Sequence, residues 1–202
     1  VGSEMCIRDS NGIDYPGSNN HGSLCCINEQ WYIFYHRGTN NTIMSRQACA
    51  ERIEILADGS IPKVEMTSLG FEDSLSPYKI TPADAACVLK GGCYLTEKNV
   101  FSRYITDITK GCVMGFKYFD FGDDYSSKTM EVCFNVKGQG CRGLIRIVSD
   151  NYENGEELGV CEIGLDDGIY KACIKAITGR HAIYFIADDN LSLIHISEPT
   201  RH

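Results

Sequence analysis

The chain has 202 residues, with 27 acidic against 19 basic side chains and a net charge of −8. An acidic chain without a basic cluster argues against nucleic acid or an anionic membrane as partner, and no apolar run approaches the length of a membrane span. The 11 cysteines include no Cys-x-x-Cys and no His at zinc-finger spacing. They read as small hydrophobes and as thiols of a reducing or anaerobic setting, the alternative being the disulfides of an exported protein.

The two ends are set aside first. Val1–Ser10 reads VGSEMCIRDS and Leu191–His202 reads LSLIHISEPTRH, and neither continues the periodicity of its neighbour. With suitable codons the first decapeptide back-translates to a DNA string whose reverse complement reads LSLIHISEP. Tails written on opposite strands of one string resemble the transposase adapter of shotgun sequencing, so 1–10 and 191–202 are treated as fusion scars. About 180 residues remain, enough for one or two small domains. The expectation is a piece of a longer protein, cut at both sides. Its leader is then unread, and location stays open between cytoplasm and export.

From Asn11 onward the chain reads as strands. Ser23–Ile27 and Trp31–His36 flank the turn Asn28-Glu29-Gln30, and Thr42–Ala48 follows Gly38-Thr39-Asn40-Asn41. A further hairpin is written at Ala57-Asp58-Gly59-Ser60, between Arg52–Leu56 and Ile61–Val64. Alternation puts Trp31, Ile33, Tyr35 and Arg37 on one face and Tyr32, Phe34 and His36 on the other. Both faces are bulky and apolar, so this strand should be buried on both sides. A four-stranded meander with such an inner strand is the pattern of a propeller blade, and one blade cannot bury its own faces.

The rhythm breaks at Gly70–Pro77, and 71–80 is read as a linker. Beyond it come Val113–Phe121, Thr129–Val136, Gly143–Ser149, Leu158–Ile163, Tyr170–Ala176 and His181–Ala187, short strands between Gly-, Asp- and Asn-rich turns. Regular short strands of this kind make a β-sandwich over 81–190. No long helix is predicted. The fold class is all-β: partial β-propeller blade(s) followed by a β-sandwich (jelly roll).

Several consecutive segments carry a family resemblance: Asn-Asn-His-Gly-Ser, Trp-Tyr-x-Phe-Tyr-His-Arg, Ser-Arg-Gln-Ala-Cys-Ala-Glu and Asp-Gly-Ser-Ile-Pro-x-Val-Glu-Met-Thr. From Asn19 to about Gly70 the chain resembles the closing part of the catalytic domain of glycoside hydrolase family 43, a five-bladed β-propeller, and 11–70 is its C-terminal blade on this reading. From about Thr81 to Asn190, on "GFKYFDFG" and "ITGRHAIYFIA", it resembles a carbohydrate-binding module of family 6. The resemblance implies an enzyme that hydrolyses arabinose- or xylose-containing plant polysaccharides (arabinoxylan, xylan, arabinan), as an α-L-arabinofuranosidase or β-xylosidase. It also implies inversion by two carboxyl groups spaced to admit water. Those groups belong to blades upstream of Asn11, so this chain alone is expected to be inactive. A non-catalytic carbohydrate-binding protein and a purely structural sandwich are the alternatives.

Four residues are singled out. By resemblance His21 points into the propeller axis and helps to hold calcium, mostly through water, since a hard cation prefers oxygen; the plain alternative is a turn His bonded to backbone. Arg37 ends the buried strand, where a guanidinium can pair with a carboxylate of the substrate pocket or donate to sugar hydroxyls, or instead reach solvent. Tyr104 and Tyr170 fall where the module's loop aromatics stack on pyranose faces, though core or surface packing is the ordinary role of a Tyr. At Tyr170 the family usually has Trp.

Overall fold

The computed structural model describes residues 12–13, 21–42, 44–99, 102–137 and 141–194. In chain order the strands are β1 (Gly12–Ile13), β2 (Ser23–Ile27), β3 (Gln30–Thr39), β4 (Ser45–Ile53), β5 (Val88–Lys90), β6 (Tyr94–Asn99) and β7 (Ser102–Ile108). There follow β8 (Val113–Asp120), β9 (Thr129–Val136), β10 (Gly143–Ser149), β11 (Glu157–Ile163), β12 (Gly168–Lys175), β13 (Arg180–Ala187) and β14 (Leu191–Ile194). A single 3-10 turn, Ala83–Ala85, is the helical element among the described residues.

The blade is the antiparallel sheet β2-β3-β4. Its long hairpin is closed by Asn40 and Asn41, both at positive φ (53° and 50°), a conformation that Asn tolerates better than most residues. Register runs from Thr39 opposite Ser45 to Trp31 opposite Ile53. β4 therefore starts three residues later than the expected Thr42 and continues past the expected Ala48 to Ile53. The inner strand is buried on both faces as expected, with Tyr32, Ile33 and Tyr35 at 2–6% exposure. Trp31, at its outer end, is 39% exposed.

The expected fourth strand is not formed. The Ala57–Ser60 turn exists: Asp58 accepts from the Ser60 amide at 2.9 Å and Gly59 takes a positive φ. No ladder follows it. Pro62 has no N–H to give to a ladder, and Ile61, Val64 and Met66 pack on the core instead.

The crossing segment then lies along β8. Ser68 N–H donates to the Lys117 carbonyl, Leu75 N–H to Tyr118, and Asp120 N–H to Leu75, each at 2.8–2.9 Å. β5 covers only the Val113–Gly115 end of β8, so the remaining backbone groups on that edge are met by this segment.

The sandwich has one six-stranded sheet, β1-β5-β8-β13-β10-β11, opposed by the ladders β14-β7-β6 and β12-β9. The six strands expected from Val113 onward all occur. The reading missed β5, β6 and β7, whose polar alternation (YLTEKN, SRYITDI) hides two strands with Leu95, Ile105 and Ile108 facing the core at 0–1% exposure. β1 pairs in parallel with β5, so residues upstream of the blade extend the sandwich sheet.

A second departure concerns the excluded C-terminal tail. Leu191–Ile194 forms a strand on β7, with Leu191 2% exposed. The apolar Leu-Ser-Leu-Ile stretch satisfies the open edge of β7, whatever its genetic origin.

Face-to-face packing is centred on aromatic edges. Phe134 of β9 meets Phe185 of β13 at 5.0 Å between ring centroids, and Phe116 of β8 meets the same ring at 5.8 Å. Phe134 is fully buried. Phe134→Ala should therefore cost about 3–5 kcal/mol, read from urea unfolding at unchanged denaturant slope. A loss under about 1 kcal/mol would remove this cluster from the centre of the core.

Candidate functional site

The densest polar constellation lies where the blade meets the sandwich. Arg37 is 6% exposed at the end of β3. Its Nε donates to Gln47 Oε1 at 2.9 Å, and its two terminal nitrogens donate to the carbonyls of Ala86 and Asp84. These carbonyls belong to the end of the 3-10 turn. Within that turn the Ala85 and Ala86 amides already use the Pro82 and Ala83 carbonyls, leaving the later ones without a donor of their own. A planar guanidinium presents two donors side by side, so one Arg from the blade caps this turn of the sandwich.

The surrounding groups complete a network. Gln47 Nε2 donates to the Asp84 carbonyl at 3.1 Å and to its carboxylate at 3.2 Å. Arg103 on β7 bridges Asp84 at 3.2 Å and Glu97 on β6 at 3.0 Å, and Thr39 Oγ1 donates to Glu97 at 3.3 Å. The hairpin tip of the blade docks beside them. Asn40 N–H donates to the Leu95 carbonyl at 2.6 Å, while Asn40 Oδ1 accepts from Thr96 Oγ1 at 2.9 Å and Glu97 N–H at 2.8 Å. Two cations and two carboxylates balance across the seam.

A second buried group sits on the same face of the blade. Glu51 Oε1 accepts from Tyr35 OH at 3.1 Å and Thr67 N–H at 2.8 Å, and its Oε2 lies 2.6 Å from Thr67 Oγ1. Burial pushes its carboxyl up to about 7, against the lowering effect of these bonds. Burial also raises the neighbouring Cys49 thiol and, most strongly, the Tyr35 phenol. A pocket of about 310 Å³ opens beside these groups, lined by Arg37, Gln47, Glu51, Met66, Thr67 and Asp84 among others.

The four singled-out residues are placed separately. Arg37 borders this pocket, but three of its donors are committed to the seam. His21 is exposed, its ring 5.7 Å from that of His36. Among the described residues no group of three His, Cys, Asp or Glu is placed to hold a metal. One imidazole does not supply the oxygens calcium requires, so the groups present do not by themselves fit that ion. Tyr104 is half-buried on β7 opposite Thr96. Tyr170 is half-buried on β12 opposite Phe134, with its hydroxyl donating to the Asp166 carbonyl at 2.7 Å. The two tyrosines stand on different ladders.

Sequence reasoning missed Gln47, Glu51, Asp84, Glu97 and Arg103. Glu51 carried a signal: alternation from Arg37 across the Asn-Asn turn puts Gln47, Cys49 and Glu51 on the inward face of β4.

The chain thus joins a propeller-type blade to a two-layered sandwich. Solved structures share this fold, in one case across nearly the whole chain and in another over the part that forms a single module. A glycoside hydrolase family 43 arabinoxylan arabinofuranohydrolase from Bacillus subtilis, solved with cellotetraose, aligns at a TM-score of 0.58 and 20% identity, over 93% of this chain and 42% of that one. The module CsCBM6-3 from Clostridium stercorarium, solved with cellobiose, aligns at 0.54 and 18% identity, over 64% of this chain and 98% of that one.

In sequence the chain is 38% identical over 199 residues to a xylosidase/arabinosidase of Thermoclostridium stercorarium, covering 85% of this chain and 40% of that protein. No family model matches the chain. The chain thus spans about two fifths of the length of this relative. The resemblance read from the sequence, to glycoside hydrolase family 43 joined to a family 6-type module, is borne out by these relatives.

Two outcomes test the site. Arg37→Met keeps most of the stem but strands the Ala86 carbonyl and leaves that of Asp84 to Gln47 alone, and should cost roughly 2–4 kcal/mol in denaturant unfolding; an unchanged midpoint would show that Arg37 adds nothing to the seam. For Glu51, the folded value of about 7 lies above the ordinary 4.5. Its neutral form is therefore favoured by folding. The contribution is full below about 4.5 and is lost as pH rises through 7. Urea midpoints should fall from pH ~5 to ~8, by a few kcal/mol in stability, and Glu51→Gln should flatten that slope. A slope equal in both proteins would assign it elsewhere.

Proposed function

We propose that this chain is the C-terminal portion of an inverting family 43 glycosidase acting on arabinoxylan or xylan, as an α-L-arabinofuranosidase or β-xylosidase. The carrying observation is the 38% identity to a xylosidase/arabinosidase, which covers 85% of the chain and so takes in residues of both units. The open side of the blade supports it. All five residues of β2 are exposed, and Leu24, Ile27 and Trp31 present apolar surface at 39–43% exposure. Among the described residues no strand covers β2, and its exposed apolar surface is of the kind a neighbouring blade would bury.

On this reading the acid and base come from blades outside the chain. Glu51 is held by Tyr35 and Thr67, and Asp84 by Gln47 and Arg103. Both are structural groups here, and the chain's own task is to fix the last blade and the module to each other. His21 would add one contact, through water, to a calcium ion whose oxygen ligands other blades supply. The sandwich would hold the glycan through the half-buried rings of Tyr104 and Tyr170.

The test is a longer reading frame carrying this segment, assayed beside the chain alone on arabinoxylan and on aryl arabinofuranosides and xylosides. Release of sugar by the long form, with none from the chain alone, is expected. A long form that folds but releases nothing from any of these substrates would overturn the enzyme reading. Retained binding of arabinoxylan by that inactive form would favour a carbohydrate-binding protein instead.

A further inference from the structure

Cys93 stands in the turn between β5 and β6, and Cys112 in the turn between β7 and β8. Both are buried, at 1% and 0% exposure. Each thiol reaches a backbone carbonyl beside the other cysteine. Cys112 Sγ donates to the Gly91 carbonyl at 3.1 Å, just upstream of Cys93. Cys93 Sγ lies 3.4 Å from the Lys90 carbonyl and 3.8 Å from that of Val113, the residue after Cys112. The turns themselves are in contact, since a Cβ on Gly91 would stand 3.0 Å from Cys112 Cα.

The pair is unequal. Thr109 turns its amide (3.3 Å) and hydroxyl (3.5 Å) toward Cys112 Sγ. The side-chain interaction with Cys93, helped by Thr109, draws the Cys112 thiol down to about 5, while the same interaction and burial push the Cys93 thiol up. Cys112 is thus the sulfur that gives up its proton more readily, and Cys93 its resolving partner. Gly91, Gly92, Thr109, Lys110 and Gly111 are all exposed, so the sulfurs lie one layer below solvent.

We propose that Cys93 and Cys112 are a disulfide modification site, closed by exchange with a small-molecule disulfide. Cys112 gives up its proton to water, and its sulfur attacks one sulfur of the disulfide, breaking the S–S bond and releasing one thiolate, which takes up a proton in turn. Cys93 then gives up its proton, and its sulfur attacks Cys112 Sγ in the mixed disulfide, expelling the second small thiolate. The two cysteines are oxidised and the small disulfide is reduced to two thiols. The bridge clasps the base of the β6–β7 hairpin, the element that offers Glu97 and Arg103 to the blade. It is independent of the glycosidase reading.

The experiment treats the full chain with oxidised glutathione at neutral pH, alkylates it under denaturing conditions and maps the peptides by mass spectrometry. A Cys93–Cys112 link is expected, with a rise of about 5–10 °C in melting temperature. Cys93→Ser should trap glutathione on Cys112, and Cys112→Ser should leave Cys93 unmodified. Should either variant not fold, the wild-type map decides by itself. Recovery of both cysteines as alkylated thiols, a lasting glutathione adduct on Cys112, or linkage to other cysteines would each overturn the proposal.

Discussion

A buried guanidinium must find acceptors for its donors, because leaving them empty inside a protein costs more than any single contact returns. Arg37 meets most of that demand with groups that are not its own blade's to give, two carbonyls at the end of a 3-10 turn in the sandwich, and the rest with the amide of Gln47 on β4. The turn has the complementary need, since its last carbonyls lack donors. Each unit thus completes the other, and the rest of the seam follows from that match. Asp84 is brought within reach of Gln47 and Arg103, and Arg103 then organises Glu97 beneath the docked Asn40 tip.

The same economy explains the segment between blade and sandwich. Thr67 is fixed by Glu51 from the blade side, while Ser68 and Leu75 exchange backbone bonds with β8 on the sandwich side. A crossing segment bonded at both ends transmits orientation in a way that a flexible tether does not. The cost is a carboxyl group buried at Glu51, whose raised value near 7 makes the blade side of the junction sensitive to pH.

Much of the fold was legible because its signals are local. Two-residue periodicity and Gly/Asn/Asp turns located β2, β3 and every strand from β8 to β13. The rest was not, for separable reasons. β5 is three residues long, and β6 and β7 carry charged and polar outer faces that dilute the apolar alternation. The fourth blade strand read plausibly until Pro62 and the pull of Val64 and Met66 toward the core outweighed the turn at Asp58-Gly59. Arg37 was legible as the end of a buried strand, with a pocket and solvent both open to it, because the carbonyls it meets lie 47 and 49 residues away in sequence. No local pattern announces a carbonyl waiting on another unit. The same holds for Cys93 and Cys112, which meet only because β5, β6 and β8 fold together.

The central claim is that blade and sandwich form one cooperative unit through the Arg37 seam. Native-state hydrogen exchange tests it most directly, by comparing the most protected amides of β3 with those of β8 and β13 under rising denaturant. A shared opening free energy for the three strands is the predicted result. Opening of β3 at a much lower free energy than β8 and β13, with the sandwich undisturbed, would contradict it.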